Sequence, residues 1–331
     1  MGLGEFSVTS RDDGYHPLDS DNFYEWWYFD GIFTNGYSFA ITYHFGTPHK
    51  KRRDARFIEY GLYDPQRRKR FSRTRIPIPQ CRASEELCDV VMGRNMVKGN
   101  LQKVHLSFEE KGMGCHLTFE SMTPGFRPPN GLLHSGSPNS YFFGWACIQP
   151  RAKVEGHLLV NGEKMPVKGE GYHDHNWGDV PVSYFFDYWY WVKLFLPGYT
   201  FNCDFSRGSE QYGFSELDHW IVGFKGRELI QWTHAVIPEM SDFFKEPTTS
   251  TDIPRRVKLT AQDTKIQGTI NCYMKKLLES FPMPGEQRGY FRFLMDCQVR
   301  LQIGSDLVNE DVEVVTELMK PPVNKKMKLG T

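Results

Sequence analysis

From residue 290 to residue 303 every second side chain is apolar: Phe291, Phe293, Met295, Cys297, Val299, Leu301 and Ile303 alternate with a set that includes Arg292, Asp296, Gln298, Arg300 and Gln302. A period of two sends successive side chains to opposite faces of an extended chain, and a helix would scatter them around its circumference. The segment is therefore predicted to be a long strand with one dry face. The same reasoning predicts a strand over residues 37–45, entered through the Asn35-Gly36 hairpin signal. Shorter strand candidates lie at residues 115–119, 157–160 (before Asn161-Gly162), 200–205 and 311–316. Residues 184–194 are aromatic on both faces, which calls for burial on both sides or for the wall of a cavity. Long amphipathic helices are missing from the pattern; residues 84–92 and 274–278 are short helix candidates. Many short strands between Gly, Pro and Asn turns predict an all-β sandwich or barrel.

A chain of 331 residues suits about two domains at ~150 residues each. The turn Gly178-Asp179-Val180-Pro181 is the expected break, giving domains at 1–181 and 182–322, with the basic tail 323–331 expected to be disordered. Lys and Arg number 40 against 40 Asp and Glu, which argues against a nucleic-acid partner. No run approaches the ~20 apolar residues of a membrane span. The charge-rich runs 50–56 and 67–75 flank the Tyr63-Asp64-Pro65 turn and read as a solvated hairpin, with an anion-binding patch as the alternative. Seven cysteines, none in a Cys-x-x-Cys pair, read as reduced thiols of a cytoplasmic protein. The lack of a leader pattern or an Asn-x-Ser/Thr sequon points the same way. The 25 Phe, 16 Tyr and 8 Trp supply more flat apolar surface than a core needs, so an aromatic-lined cavity for a hydrophobic small molecule is expected.

The chain has no Gly-x-Ser-x-Gly elbow, no P-loop, no Gly-x-Gly-x-x-Gly after a strand and no His-Glu-x-x-His. Two dense clusters remain. In Tyr24-Glu25-Trp26-Trp27-Tyr28-Phe29-Asp30, a strand would place Glu25 on one face with Trp27 and Phe29. A carboxyl group among rings is desolvated and holds its proton towards neutral pH; the alternative is a structural ion pair. In Gly169-Glu170-Gly171-Tyr172-His173-Asp174-His175-Asn176-Trp177-Gly178, the imidazoles of His173 and His175 share one side and Tyr172, Asp174 and Asn176 the other. A His-x-His pair supplies two metal ligands but lacks a third, so no metal is expected; a polar cluster that moves a proton fits equally. Farther on, Asp187 shares a face with Trp189 and Trp191 beside Tyr188, as either an acid among rings or the partner of an Arg.

Glu25-Trp26-Trp27-Tyr28-Phe29 together with Gly171-Tyr172-His173-Asp174-His175-Asn176-Trp177-Gly178 resembles the lipocalin-like family of carotenoid 1,2-hydratase (hydroxyneurosporene synthase), AttH-type proteins, kievitone hydratase and lipocalin-fold Diels–Alderases. The resemblance implies two lipocalin-like β-barrel domains packed together, with few short helices and an apolar ligand cavity near their contact. It also implies cofactor-free chemistry on isoprenoid or polyketide alkenes: hydration, isomerisation or cyclisation. The motif positions matched are Glu25, Trp27, Tyr172, His173, Asp174, His175, Asn176 and Trp177. The candidate catalytic set is Asp174, His173, Tyr172, Asp187 and Glu25. The candidate substrate wall is Trp27, Trp177, Trp189, Trp191, Tyr188, His175 and Asn176. A pericyclase working by preorganisation and a non-catalytic carrier are the rivals.

Overall fold

The computed structural model describes residues 6–47, 54–135 and 141–322, so the basic tail and most of the 50–56 charge run lie outside the described residues. The chain divides into two compact units, Met1–Pro181 and Val182–Thr331.

The first unit holds β1 (Tyr24–Phe33), β2 (Ser38–Gly46), β3 (Arg56–Tyr63), β4 (Lys69–Arg75), β5 (Cys81–Ala83), β6 (Asp89–Met92), β7 (Asn95–Gly99), β8 (Lys103–Glu110), β9 (Met113–Ser121), β10 (Leu132–Ser135), β11 (Phe142–Val160) and β12 (Glu163–Gly178). The second holds β13 (Phe186–Leu196), β14 (Tyr199–Gly208), β15 (Glu216–Lys225), β16 (Glu228–Thr233), β17 (Val236–Lys245), β18 (Asp252–Gln262), β19 (Ile266–Pro282), β20 (Gly289–Ile303) and β21 (Asp306–Lys320). Each unit is one curled antiparallel half-barrel, so the fold is all-β with two lipocalin-like domains.

Both sheets follow the same path. The first runs β4-β3-β2-β1-β12-β11-β9-β8-β7-β6-β5, with β10 on β11; the second runs β16-β15-β14-β13-β21-β20-β19-β18-β17. In each, the chain meanders outward for four strands, restarts at the far edge and returns until its last strand pairs with its first. This closure lays residues 24–33 against residues 169–178, so two motifs far apart in sequence become neighbouring strands.

Alternation fixes what each sheet buries. Phe291, Phe293, Met295, Cys297, Val299, Leu301 and Ile303 join Tyr190, Val192, Leu194, Phe201, Cys203 and Phe205 in one cluster inside the second sheet. Trp27, Phe29, Phe39, Ile41, Tyr43, Tyr60 and Phe119 do the same inside the first. At ~25 cal/mol per Å² of apolar area, the 150–250 Å² that such rings bury makes them the largest single contributors to each core.

Two sequence expectations fail. Residues 84–92 are bends running into β6, and residues 274–278 lie within β19. Short helical propensity yields there to sheet pairing with β20, which continues through the segment across two bulges. The reading of all seven cysteines as thiols is also corrected: Cys272 and Cys297 face each other across β19 and β20 and form a disulfide. The 67–75 run is a solvated hairpin, with Arg68 on Asp64 at 2.6 Å and Arg73 on Glu59.

Candidate functional site

The closure of the first sheet pairs the motifs residue by residue: Glu25 opposite Trp177, Trp27 opposite His175, Phe29 opposite His173, and on the other face Tyr28 opposite Asp174 and Asp30 opposite Tyr172. Pleating therefore splits the sequence cluster into two separate groups.

The inner group is buried. Glu25, His173, His175 and Trp27 are all fully buried. Each imidazole lies on a ring: His173 on Phe29 at 3.8 Å, His175 on Trp27 at 4.5 Å, and His16, from the segment before β1, on Trp177 at 3.9 Å. His173 presents Nδ1 to the Tyr28 carbonyl at 2.9 Å and Nε2 to both Asp13 oxygens at 3.1 Å, so neither nitrogen is open to a substrate. Trp27 Nε1 donates to the Asp13 carbonyl at 3.1 Å. His175 Nδ1 donates to the Asp12 carbonyl at 2.9 Å, which leaves Nε2 as the acceptor nitrogen, 2.8 Å from Glu25 Oε1. That contact lies off the axis of the ring's lone pair, so it is close packing with bent hydrogen-bond geometry. Glu25 also accepts from the His16 backbone N–H at 3.0 and 3.1 Å.

Burial sets the charge state of this group. Desolvation raises the Glu25 carboxyl well above its usual range and lowers His175 well below its own. It also pushes His16 down to about 4. Burial thus favours the uncharged form of the carboxyl group and of both imidazoles, and the cluster ties residues 12–16 across the closing strands. Among the described residues, two sets of ligand-type atoms lie within 4.8 Å of one another, Asp13–Cys88–His173 and His16–Glu25–His175. In both, the side chains already bond to each other or to backbone.

The outer group centres on Asp174, whose carboxylate accepts from Tyr172 Oη at 2.8 Å, Trp145 Nε1 at 3.2 Å and Asn176 Nδ2 at 2.8 Å. Burial, and then the Asp174 charge, raise the Tyr172 phenol well above its usual value, so it stays a donor. Asp174 is an acceptor surrounded by donors, an arrangement that orients Tyr172 and Asn176.

In the second unit, Asp187 lies between Arg288, at 2.8 Å, and Arg207. Its pKa is raised by burial but lowered on balance by hydrogen bonds from the two arginines, so it stays a carboxylate. This excludes the proton-donor role expected for it: the Arg partner weighed as the alternative is present, twice. Tyr188 lies under the Arg207 guanidinium, 5.5 Å from ring centroid to charge, and Trp189 packs edge-on against Phe186 at 5.3 Å. Trp191 belongs to a different arrangement.

That arrangement is a row of directly opposed residues on the outer face of the second sheet: Arg292, Glu317, Trp191, Asp204 and Trp220, one from each of β20, β21, β13, β14 and β15. Strands lie ~4.8 Å apart, so Asp204 has an indole on either side. The two rings meet edge to face at 5.4 Å, and Trp232 adds a third at 5.5 Å from Trp220. Asp204 is 5% exposed, and its Oδ1 has no hydrogen-bond partner. Burial raises its pKa well above the usual value, and the charge of nearby Asp218 raises it further. Asp218 is bonded to Ser206 at 3.2 Å. Two residues from Asp204 on the same face, Asn202 is fully buried with both amide atoms unpartnered.

The sequence reading missed Asp204, Asn202, Asp218 and Trp220. Asn202-Cys203-Asp204 inside a predicted strand was the available signal, because two polar residues on one face of a core strand require an explanation. The row itself spans five strands and has no linear spacing to detect.

A model of the AttH-like family matches residues 6–279. A curated relative, hydroxyneurosporene dehydrogenase of Chlorobaculum tepidum, is 27% identical over 228 residues, covering 57% of this chain and 58% of that protein. The chain spans little more than half the length of the curated relatives it matches. Among solved structures, a putative AttH from Nitrosomonas europaea aligns with a TM-score of 0.71 at 15% identity, covering 96% of this chain and 98% of that one. Kievitone hydratase from Nectria haematococca aligns with a TM-score of 0.59 at 16% identity, covering 96% of each chain. At these identities the structures establish a shared fold.

Proposed function

The chain belongs to the AttH-like family, and from that premise we propose that it is a cofactor-independent enzyme acting on the alkenes of a hydrophobic isoprenoid or polyketide. A structural relative named kievitone hydratase supports hydration, and a curated relative named for hydroxyneurosporene supports an isoprenoid substrate. The observation that carries the reading is Asp204, a buried carboxyl group opposed by Trp191 and Trp220 whose Oδ1 has no hydrogen-bond partner and whose pKa burial raises well above the usual value.

In this reading Asp204 gives its proton to one alkene carbon, and the cation formed on the other lies against indole faces worth ~2 kcal/mol or more each when desolvated. Water then adds to the cation, and its surplus proton returns to the Asp204 carboxylate, which completes a hydration. Loss of a neighbouring C–H proton to the same carboxylate gives isomerisation; attack by a second alkene closes a ring and moves the cation onto that alkene, where loss of a C–H proton to the Asp204 carboxylate gives the neutral product. Glu25, His173, His175 and Trp27 hold the first sheet closed, and Asp174 orients Tyr172 and Asn176; none of them donates the proton.

A second reading, pericyclic ring closure by preorganisation, is favoured by the open amide of Asn202, which can polarise a carbonyl without any acid. Incubation with acyclic isoprenoid and polyketide polyenes in D2O separates the readings. Deuterium in the product, and a rate at least ~100-fold lower in Asp204→Asn, is the expected result. Product without deuterium selects the pericyclic reading, and polyene bound but unchanged selects a carrier.

The same proposal places the protein in the cytoplasm; recovery of the native protein in the cytosolic fraction of its host supports that placement, and recovery in the secreted fraction contradicts it.

A further inference from the structure

Charge in this chain is evenly counted but unevenly placed. Residues 50–75 hold 11 Lys or Arg and three Asp or Glu, which leaves 29 against 37 for all the rest. Lys50-Lys51-Arg52-Arg53 lie outside the described residues, and the other seven cations belong to β3, β4 and the turn between them. Two are answered in place, Arg68 by Asp64 at 2.6 Å and Arg73 by Glu59. Arg70 donates to the neutral Asn161 oxygen at 2.5 Å, and Lys69 lies over the Phe71 ring at 4.6 Å. Pleating puts Lys69, Phe71, Arg73 and Arg75 on one face of β4, an edge strand of the first sheet. Phe71 is 43% exposed in the middle of that strand, and Ile78, three residues beyond its end, is 49% exposed. Edge strands carry charge to avoid pairing with another chain, but charge of either sign serves. The β17 edge of the second sheet mixes both, with Glu239, Asp242 and Lys245. A surplus of one sign with apolar side chains exposed in its midst is the composition of an interfacial lipid-binding surface.

We propose that the β3–β4 hairpin docks the protein on an anionic membrane surface: its cations meet lipid phosphates, and Phe71 and Ile78 enter the boundary of the acyl chains. The choice of a membrane over a nucleic acid rests on Ile78. A base stacks on an aromatic ring but gains little from an aliphatic side chain, whereas acyl chains accept both. With zero net charge overall, the attraction is local, so it orients the molecule as it binds. It also fades within a Debye length of the surface, ~8 Å at physiological salt. The proposal goes beyond the alkene-enzyme reading and does not depend on it.

The test is flotation of the full chain with lipid vesicles in ~0.1 M salt. Phosphatidylcholine vesicles with about 30% phosphatidylglycerol should carry the protein, and vesicles of phosphatidylcholine alone should not. Each cation removed should lower the partition coefficient about fivefold, so Lys69→Gln combined with Arg75→Gln should cost about 25-fold. Phe71→Ser should weaken partitioning by about fivefold or more while leaving its salt dependence as in wild type, since insertion is lost but no charge. Lys258→Gln, on the second sheet, should partition as wild type does. Circular dichroism checks that each variant folds, and Arg75→Gln alone serves if the double variant does not. Equal partitioning into both kinds of vesicle, or wild-type partitioning by the double variant or by Phe71→Ser, overturns the proposal. So does binding of single-stranded DNA by a chain that ignores anionic vesicles. None of these outcomes touches the acid assigned to the alkene reaction.

Discussion

Replacing Glu25 by Gln should change the pH dependence of stability far more than stability itself. Glu25 holds its proton in the folded state because burial raises its pKa well above the usual 4.5. Below 4.5 both folded and unfolded chains carry that proton, and the contribution is fully present. As pH rises the unfolded carboxyl ionises while the folded one does not, so stability falls by ~1.4 kcal/mol per pH unit until the folded pKa is reached. From pH 5 upward wild type should therefore lose stability relative to Glu25→Gln. His16 and His175 act with the opposite sign: both are lowered from 6.5, so their contribution is lost as pH falls below that value. With His16 shifted to about 4, its share at pH 4 is ~3 kcal/mol, and both proteins keep this acid limb. The Gln amide can accept from the His16 N–H and donate to His175 Nε2, so at pH 6 the two proteins should agree within ~1 kcal/mol. The assay is urea unfolding followed by near-ultraviolet circular dichroism at half-unit steps from pH 5 to pH 9. Parallel curves for wild type and variant across pH 6–8 would falsify the neutral cluster and show Glu25 to be a carboxylate.

Further outcomes check the rest of the assignment. Asp187→Asn should leave turnover within a few-fold of wild type while lowering stability by ~2–3 kcal/mol, since Arg207 and Arg288 lose a charged acceptor; a turnover loss matching that of Asp204→Asn would return Asp187 to the chemistry. Gly144→Ala should lower the melting temperature and cost ~1–3 kcal/mol, because a Cβ there would fall inside the Trp177 indole that covers His16; an unchanged melting curve contradicts that packing. Exhaustive chelation should leave turnover intact, and a loss restored by a transition metal would instead assign His16, Glu25 and His175 as its ligands.

Much of the protein was legible in its sequence because β-structure with one buried face writes itself as a period of two. The alternation from Phe291 to Ile303 named seven core residues, and all seven are buried. The same alternation put Glu25 with Trp27 and Phe29, and His173 with His175, on shared faces. It could not reveal that a long meander brings those two faces onto one another, since pairing between residues 25 and 177 depends on closure of the whole sheet. The fate of individual acids was equally hidden. Glu25 and Asp187 read as carboxyls among rings while Asp204 went unread, yet two imidazoles, two arginines and two indoles respectively lie beside them in the fold. A carboxyl group's proton affinity is set by what lies within a few ångströms, and strand pairing and the segments flanking the strands decide those neighbours. Period and composition thus determined the sheets and their dry faces. Only tertiary pairing decided which acid keeps a proton and is flanked by rings.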